Sequence, residues 1–160
     1  MTSGYEIDKA LQKLKISYSV KSKDNLSDYK EPSVGVVNLQ DSNLGLGTHW
    51  VAYYIPKSGS VNYYFDSYGL PPPIGIIKHL KTKNRSIIYS DQQLQGLKTD
   101  LCGEYVIYWL RNMLRRRNAS TNAYNNTKYL GYIYSVFDPA DVKGNDKKIK
   151  DLIKIRINSS

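Results

Sequence analysis

The sequence predicts an α+β fold, with a central mixed or antiparallel sheet, a buried helix carrying a candidate nucleophile, and peripheral helices. Three observations predict it. Two β-branched and aromatic runs, Trp50–Ile55 and Val61–Phe65, flank the turn-forming Pro56-Lys57-Ser58-Gly59 and read as a hairpin. Cys102, Val106, Trp109, Leu110, Met113 and Leu114 make a segment apolar on most sides, a pattern that suits a central helix. Amphipathic helical periodicity marks both ends of the chain. With 160 residues, 41% apolar and 23% charged, residues 1–160 read as one globular domain rather than a disordered or collagen-like chain.

Taken in order, Tyr5–Ile16 places Ile7, Ala10, Leu11 and Leu14 near helical spacing after Thr2 and Ser3, so a short helix opens the chain. Lys21–Pro32 is polar and reads as a loop. Val34–Leu39 is a β-branched strand candidate, and Asp41–Gly47 is a turn-rich loop before Thr48-His49-Trp50. After the hairpin, Pro71-Pro72-Pro73 ends the unit, Ile74–Leu80 reads as a short helix and Ser86–Tyr89 as a strand. Thr99 or Asp100, each a competent N-cap, starts the central helix, which runs to Arg115-Arg116-Arg117. Asn118–Lys128 is loop-like, Tyr129–Phe137 is aromatic and strand or helix, and Asp146–Ile157 closes the chain as a basic amphipathic helix.

Composition excludes several classes of function. One cysteine, Cys102, excludes an internal disulfide and a multi-cysteine zinc site, and suits a reducing compartment. No apolar run approaches the ~20 residues needed to cross a bilayer, and Met1–Lys9 has no apolar signal core, so no membrane association and no secretion are expected. Asn-x-Ser/Thr sequons at Asn25, Asn118, Asn125 and Asn158 are then without consequence. Fifteen tyrosines could form an aromatic surface, but with abundant Lys, Asn and Ile they also match an AT-rich coding bias. The net charge of +9 is lopsided: residues 1–80 hold eight bases and seven acids, residues 81–160 fifteen bases and seven acids.

Cys102 falls where the central helix begins, and there backbone N–H groups and the positive helix end favour a thiolate. Gly103 leaves room for a substrate carbonyl beside the sulfur. A cysteine nucleophile needs a base, and the two histidines are His49 and His79. His79 beside Lys78 suits a solvated surface, whereas His49 starts a strand. Reflection about the Pro56–Gly59 turn sets His49 opposite Asp66, with Cβ atoms roughly 5 Å apart, so Asp66 would orient the imidazole and stabilise its charged form. Acyl transfer also needs donors for the developing oxyanion, each worth roughly 3 kcal/mol. The Cys102 N–H is one; Gln92, Gln93 and Gln95 are all candidates for the second.

Three stretches, Gly47-Thr48-His49-Trp50, Tyr63-Tyr64-Phe65-Asp66-Ser67-Tyr68-Gly69 and Gln95-Gly96-Leu97-Lys98-Thr99-Asp100-Leu101-Cys102-Gly103, together resemble the adenovirus maturation protease (adenain) family. More loosely, they resemble the wider SUMO-protease-like clan. The order His, acid, Gln, Cys and the separations between them match, tightest over residues 47–110. The resemblance implies a cysteine endopeptidase of a double-stranded DNA virus or virophage, with Cys102 as nucleophile, His49 as general base and acid, Asp66 as orienter and Gln95 as oxyanion donor. It selects Gln95 over the other two glutamines. Asp66 follows the SUMO-protease branch, since adenain has Glu there. Adenain is activated by a disulfide-linked viral peptide; with Cys102 alone available, the corresponding activator here would be a noncovalent viral peptide.

The same resemblance implies DNA as a second activator, and the basic half of the chain offers phosphate contacts at Arg111, Arg115, Arg116, Arg117, Lys147, Lys148 and Lys150, with Lys143, Lys154 and Arg156 nearby in sequence. The chemistry itself calls for no cofactor and no metal. Implied substrates are viral capsid or core precursors cut near Gly-type sites, by a monomer in the virion and the infected host cytoplasm or nucleus. The alternatives are a deconjugating protease of ubiquitin-like modifiers and a nonenzymatic nucleic-acid-binding virion protein.

Overall fold

The computed structural model describes residues 2–26, 32–40, 49–81, 84–116 and 133–153. Helix α1 (Gly4–Gln12) leads into β1 (Ser17–Ser22) and a 3-10 turn at Lys23–Asn25. Then come β2 (Ser33–Asn38), β3 (Trp50–Ile55), β4 (Val61–Phe65), α2 (Ile74–Leu80), β5 (Ser86–Tyr89) and α3 (Cys102–Arg116). Residues 133–136 are helical, and α4 (Val142–Leu152) follows. The five strands form one sheet in the order β1-β2-β3-β4-β5. The central β2-β3-β4 pairs are antiparallel and the two outer pairs parallel, so the expected mixed sheet is present.

Side-chain alternation sorts the central strands between two cores. Trp50, Ala52 and Tyr54 of β3 join Tyr63 and Phe65 of β4 beneath α1, α3 and α4, with the Phe65 and Trp109 rings stacked at 5.4 Å. Val51, Tyr53 and Ile55 face the other way with Tyr64, against Ile76 and Leu80 of α2. All six residues of β2 and of β3 are buried, because both faces are covered. Gly35 is required by this packing: a Cβ there would lie 2.1 Å from the Tyr53 ring.

Several boundaries differ from expectation, each for a local reason. Helix α1 starts at an N-cap, Ser3 Oγ accepting the Glu6 N–H at 3.2 Å, but stops at Gln12 instead of Ile16 because Lys15 takes a left-handed φ of 54°. Strand β1 includes Lys21 and Ser22, which were expected in a loop; its Ser-Tyr-Ser-Val-Lys-Ser sequence is polar because it is an edge strand. Helix α3 begins at Cys102: the Leu101 carbonyl accepts the Tyr105 N–H at 3.1 Å, so neither Thr99 nor Asp100 is its cap. Helix α4 begins at Val142, four residues early, because Asp141 caps it through the Gly144 N–H at 3.0 Å; it ends at Leu152. Residues 154–157 of the expected terminal helix lie outside the described residues, as do Asp41–Thr48 and Asn118–Lys128.

Candidate functional site

The nucleophile candidate is set by helix geometry. Cys102 is the first residue of α3 and 2% exposed, so its backbone sits among the unpaired N–H groups at the positive end of the longest described helix. Gly103 does not open the sulfur to substrate as expected. Its missing Cβ faces Thr2, whose own Cβ would be only 2.7 Å away, so Gly103 lets the N-terminal segment pack on α3. Thr2 is held there by Trp50 Nε1, which donates to its carbonyl at 3.1 Å, while its hydroxyl donates to Glu104.

His49 lies immediately before β3, its carbonyl accepting the Leu39 N–H at 2.9 Å, and Asp66 lies immediately after β4. Their pairing differs in register from the expected one. The ladder matches Ala52 with Phe65, Tyr53 with Tyr64 and Tyr54 with Tyr63, which continued outward sets His49 opposite Tyr68, not Asp66. The connection between the strands is longer than a Pro56–Gly59 turn, and Arg85 braces it by donating to the Pro56 carbonyl at 2.8 Å and to Asn62 Oδ1 at 3.1 Å. Asp66 still reaches His49 because the chain turns just past β4, the Gly69 N–H bonding back to the Asp66 carbonyl at 2.8 Å. Tyr68 is thereby folded over the imidazole, ring centroids 4.4 Å apart and planes 17° from parallel.

Asp66 Oδ1 meets His49 Nε2 at 2.7 Å and also accepts the Tyr68 N–H at 2.8 Å. With Nε2 occupied, Nδ1 is the ring nitrogen left for a thiol; it is buried and has no hydrogen bond of good geometry. Burial opposes a charged ring, but the hydrogen bond to Asp66, the interaction with the nearby Cys102 and the Asp66 charge outweigh it, raising the His49 pKa to about 9. The arrangement favours an imidazolium beside the Cys102 sulfur. The Tyr68 hydroxyl is pushed up by burial and then by its electrostatic interactions with Cys102, Asp66 and Asp146.

Gln95 is fully buried in the loop before α3. Its Oε1 accepts the Ser67 hydroxyl at 2.5 Å, and its Nε2 donates to the Thr99 carbonyl and hydroxyl, both at 3.1 Å. A carbonyl cannot donate, so Thr99 fixes which end of the amide carries the nitrogen. Both amide hydrogens are thus engaged; a substrate oxygen would have to replace one Thr99 bond. Gln93 spends its amide on the Gln95 carbonyl at 2.9 Å, and Gln92 bonds Asp91 at 3.2 Å.

Among the described residues, the hydrogen bonds and ring contacts identified for the remaining candidates involve none of His49, Asp66, Gln95 and Cys102. Arg111 is half-buried on α3, and burial together with the neighbouring Arg115 charge lowers its pKa. Arg115, Lys147 and Lys150 are exposed; Lys148, also exposed, donates to the Val136 carbonyl at 2.7 Å. Arg117 and the Arg116 side chain lie outside the described residues. His79 is half-buried rather than solvated, packing edge-on against Tyr53 with ring centroids 5.4 Å apart. No group of three or more acidic, His or Cys ligands that could hold a metal occurs among the described residues, and no described helix is long and apolar enough to cross a membrane.

Sequence reasoning missed Tyr68, Ser67, Thr99 and Asp146 as parts of the site's framework. The signal for Tyr68 was available: shifting the hairpin by two residues pairs it with His49. Ser67 and Thr99 touch Gln95 only through the folded loop, and Asp146 arrives from a helix fifty residues away.

No family profile matches the chain, and no curated protein matches it. Among solved structures, it is similar to a selenomethionine form of the ASFV pS273R protease at 18% identity and a TM-score of 0.58, over 81% of this chain and 61% of that one. A second crystal structure of the ASFV pS273R protease matches at 17% identity and a TM-score of 0.54, over 80% of this chain and 60% of that one. ChlaDub1 from Chlamydia trachomatis overlaps at 14% identity and a TM-score of 0.38, over 78% of this chain and 63% of that one. This chain therefore spans about 61% of the length of the ASFV pS273R protease. At such identities the likeness is one of fold, and the conclusion it supports is that this chain has the α+β fold, with a mixed five-stranded sheet, of that protease.

Proposed function

We propose that this protein is a cysteine endopeptidase using Cys102, His49 and Asp66. The observation that carries the reading is the buried His49 ring, bonded to Asp66 through Nε2 and biased toward imidazolium by Cys102 at a helix N-terminus. In this mechanism the Cys102 thiolate attacks the scissile carbonyl carbon, and the electron pair moves to the oxygen. The Cys102 N–H receives that oxyanion, joined by Gln95 Nε2 once a Thr99 bond is exchanged. The His49 imidazolium then gives its Nδ1 proton to the departing amine as the C–N bond breaks, leaving a thioester. Neutral His49 next takes a proton from water as the water oxygen attacks the thioester carbonyl; the C–S bond then breaks, releasing the acid product and restoring the Cys102 thiolate beside the His49 imidazolium.

The substrate class in this proposal is viral capsid or core precursors cut near glycine, in a virion or infected cell, following the adenain resemblance. The fold shared with a viral protease supports the same direction. DNA is proposed as an activator at Arg111, Arg115 and the α4 lysines, alongside a noncovalent viral peptide, with the enzyme monomeric. The test compares a glycine-containing capsid-precursor peptide, a ubiquitin-like modifier fusion and Cys102→Ala. Cleavage of the precursor that is lost in Cys102→Ala supports the reading. Preference for the modifier fusion moves the assignment to a deconjugase. Cleavage unaffected by Cys102→Ala, or no cleavage and a thiol no more reactive than a free cysteine, overturns the protease reading. Salt-insensitive or absent binding to nonspecific duplex DNA removes the DNA activator.

A further inference from the structure

The loop that carries Gln95 is wired to α4 on both sides of that residue. The Gly96 N–H, following Gln95, donates to Asp146 Oδ2 at 3.0 Å. The Leu94 carbonyl, preceding it, accepts Asn145 Nδ2 at 3.1 Å and the Tyr105 hydroxyl at 3.3 Å. Tyr105, one turn along α3 from Cys102, donates the same hydroxyl to Asp146 Oδ1 at 2.8 Å. The Leu94 and Gln95 N–H groups close the remaining side, both donating to the Ser67 carbonyl, at 2.9 and 3.1 Å.

Asp146 thus gives one carboxylate oxygen to the loop and the other to the nucleophile's helix. It is a buried carboxylate, 8% exposed, and such a group is costly unless its hydrogen bonds are made. Helix α4 does not need it to begin, because Asp141 supplies the cap. The contact is also tight: a Cβ on Gly96 would stand 2.7 Å from Asp146 Oδ2.

We propose that Asp146 is a positioning residue for Gln95, holding the oxyanion loop in register with Cys102 through Gly96 and Tyr105. This rests on the reading of Gln95 as an oxyanion donor. Asp146 touches no reacting atom; it acts by fixing where the Gln95 amide stands when the substrate oxygen becomes charged. Such an effect belongs to the transition state and not to substrate binding, so it falls on kcat.

The test uses the full chain and N-benzyloxycarbonyl-glycine p-nitrophenyl ester, an acyl substrate that demands no long recognition sequence. Asp146→Ala lowers kcat about 10- to 100-fold with KM within about twofold, the scale expected for a displaced donor. Asp146→Asn recovers most of the rate, because its amide oxygen can turn to Gly96 while the Tyr105 hydroxyl moves fully to the Leu94 carbonyl. The double variant Gln95→Ala/Asp146→Ala is no slower than Gln95→Ala alone, since both losses pass through one donor. Gly96→Ala, which displaces the carboxylate while leaving Asp146 in place, gives the same kinetic signature and decides the matter if Asp146→Ala does not fold. The proposal is overturned if the folded variants keep wild-type kcat, if the loss lies in KM, or if the Gln95 and Asp146 losses multiply. A different failure, wild-type turnover no faster than that of Cys102→Ala, removes the protease reading itself.

Discussion

Replacing Asp66 with Asn tests the electrostatics of the site most directly. The amide keeps an acceptor for His49 Nε2 and the Tyr68 N–H, which Oδ1 now serves at 2.7 and 2.8 Å, but removes the negative charge. His49 is raised from 6.5 to about 9 against the opposing effect of its own burial, and Asp66 contributes through both its hydrogen bond and its charge. A displacement of that size corresponds to about 3 kcal/mol of preference for the imidazolium, at about 1.4 kcal/mol per pH unit. Asp66 shares it with Cys102, so losing the charge lowers the His49 midpoint by at least about one pH unit, tenfold less imidazolium on the alkaline side. The amide NH2 also enters the space of Oδ2, which is buried without a hydrogen-bond partner, adding about 1–3 kcal/mol of destabilisation. The assay is titration of the His49 ring proton resonances by NMR, in parallel with iodoacetamide alkylation of Cys102 across pH. A His49 midpoint within about 0.3 pH units of the wild type would refute the claim that the carboxylate sustains the charged ring.

Global stability should fall as pH rises through about 9, because the folded His49 is raised above its ordinary 6.5: its contribution is complete below 6.5 and lost above 9. Thermal melting across pH 6 to 10 measures this, and Asp66→Asn should flatten the slope. Tyr68→Ala removes the ring stacked on His49 and should cost about 0.5–1.5 kcal/mol beyond lost burial; a kcat unchanged from wild type would show that Tyr68 does not hold the imidazole. Gly35→Ala drives a Cβ into the Tyr53 ring between two fully buried strands, so urea denaturation should show a loss of about 1–3 kcal/mol, or no folded protein. Wild-type stability there would mean the two strands can separate more easily than their packing implies.

Fold class was legible because burial writes itself into local patterns. The hairpin runs, the short α2 and β5 segments and the nearly all-round apolar α3 appear where their periodicity points. Strand β1 was not legible: at the sheet edge its Tyr18 and Val20 are only partly buried, so the chain carries no strong apolar signal there. The ends of α1, α3 and α4 depended on single backbone events, a left-handed Lys15, a Leu101 carbonyl and an Asp141 cap, which propensity does not specify.

What the sequence alone supplied is a roster of candidates: a single cysteine at a helix start, a histidine at a strand start, an aspartate after the second hairpin strand and three glutamines before the cysteine, among which only the family resemblance selected Gln95. Those features are one-dimensional, because residue type, count and spacing survive any small change in geometry. Tertiary structure alone decided how they meet. The hairpin loop set a register two residues from the one expected, putting Tyr68 on the imidazole while a turn returned Asp66 to Nε2. Asp146, far along the chain, reached Gly96 only through the packing of α4. Register and long-range hydrogen bonds depend on how every intervening loop closes, and that is a property of the whole packed chain, which no local window of sequence contains.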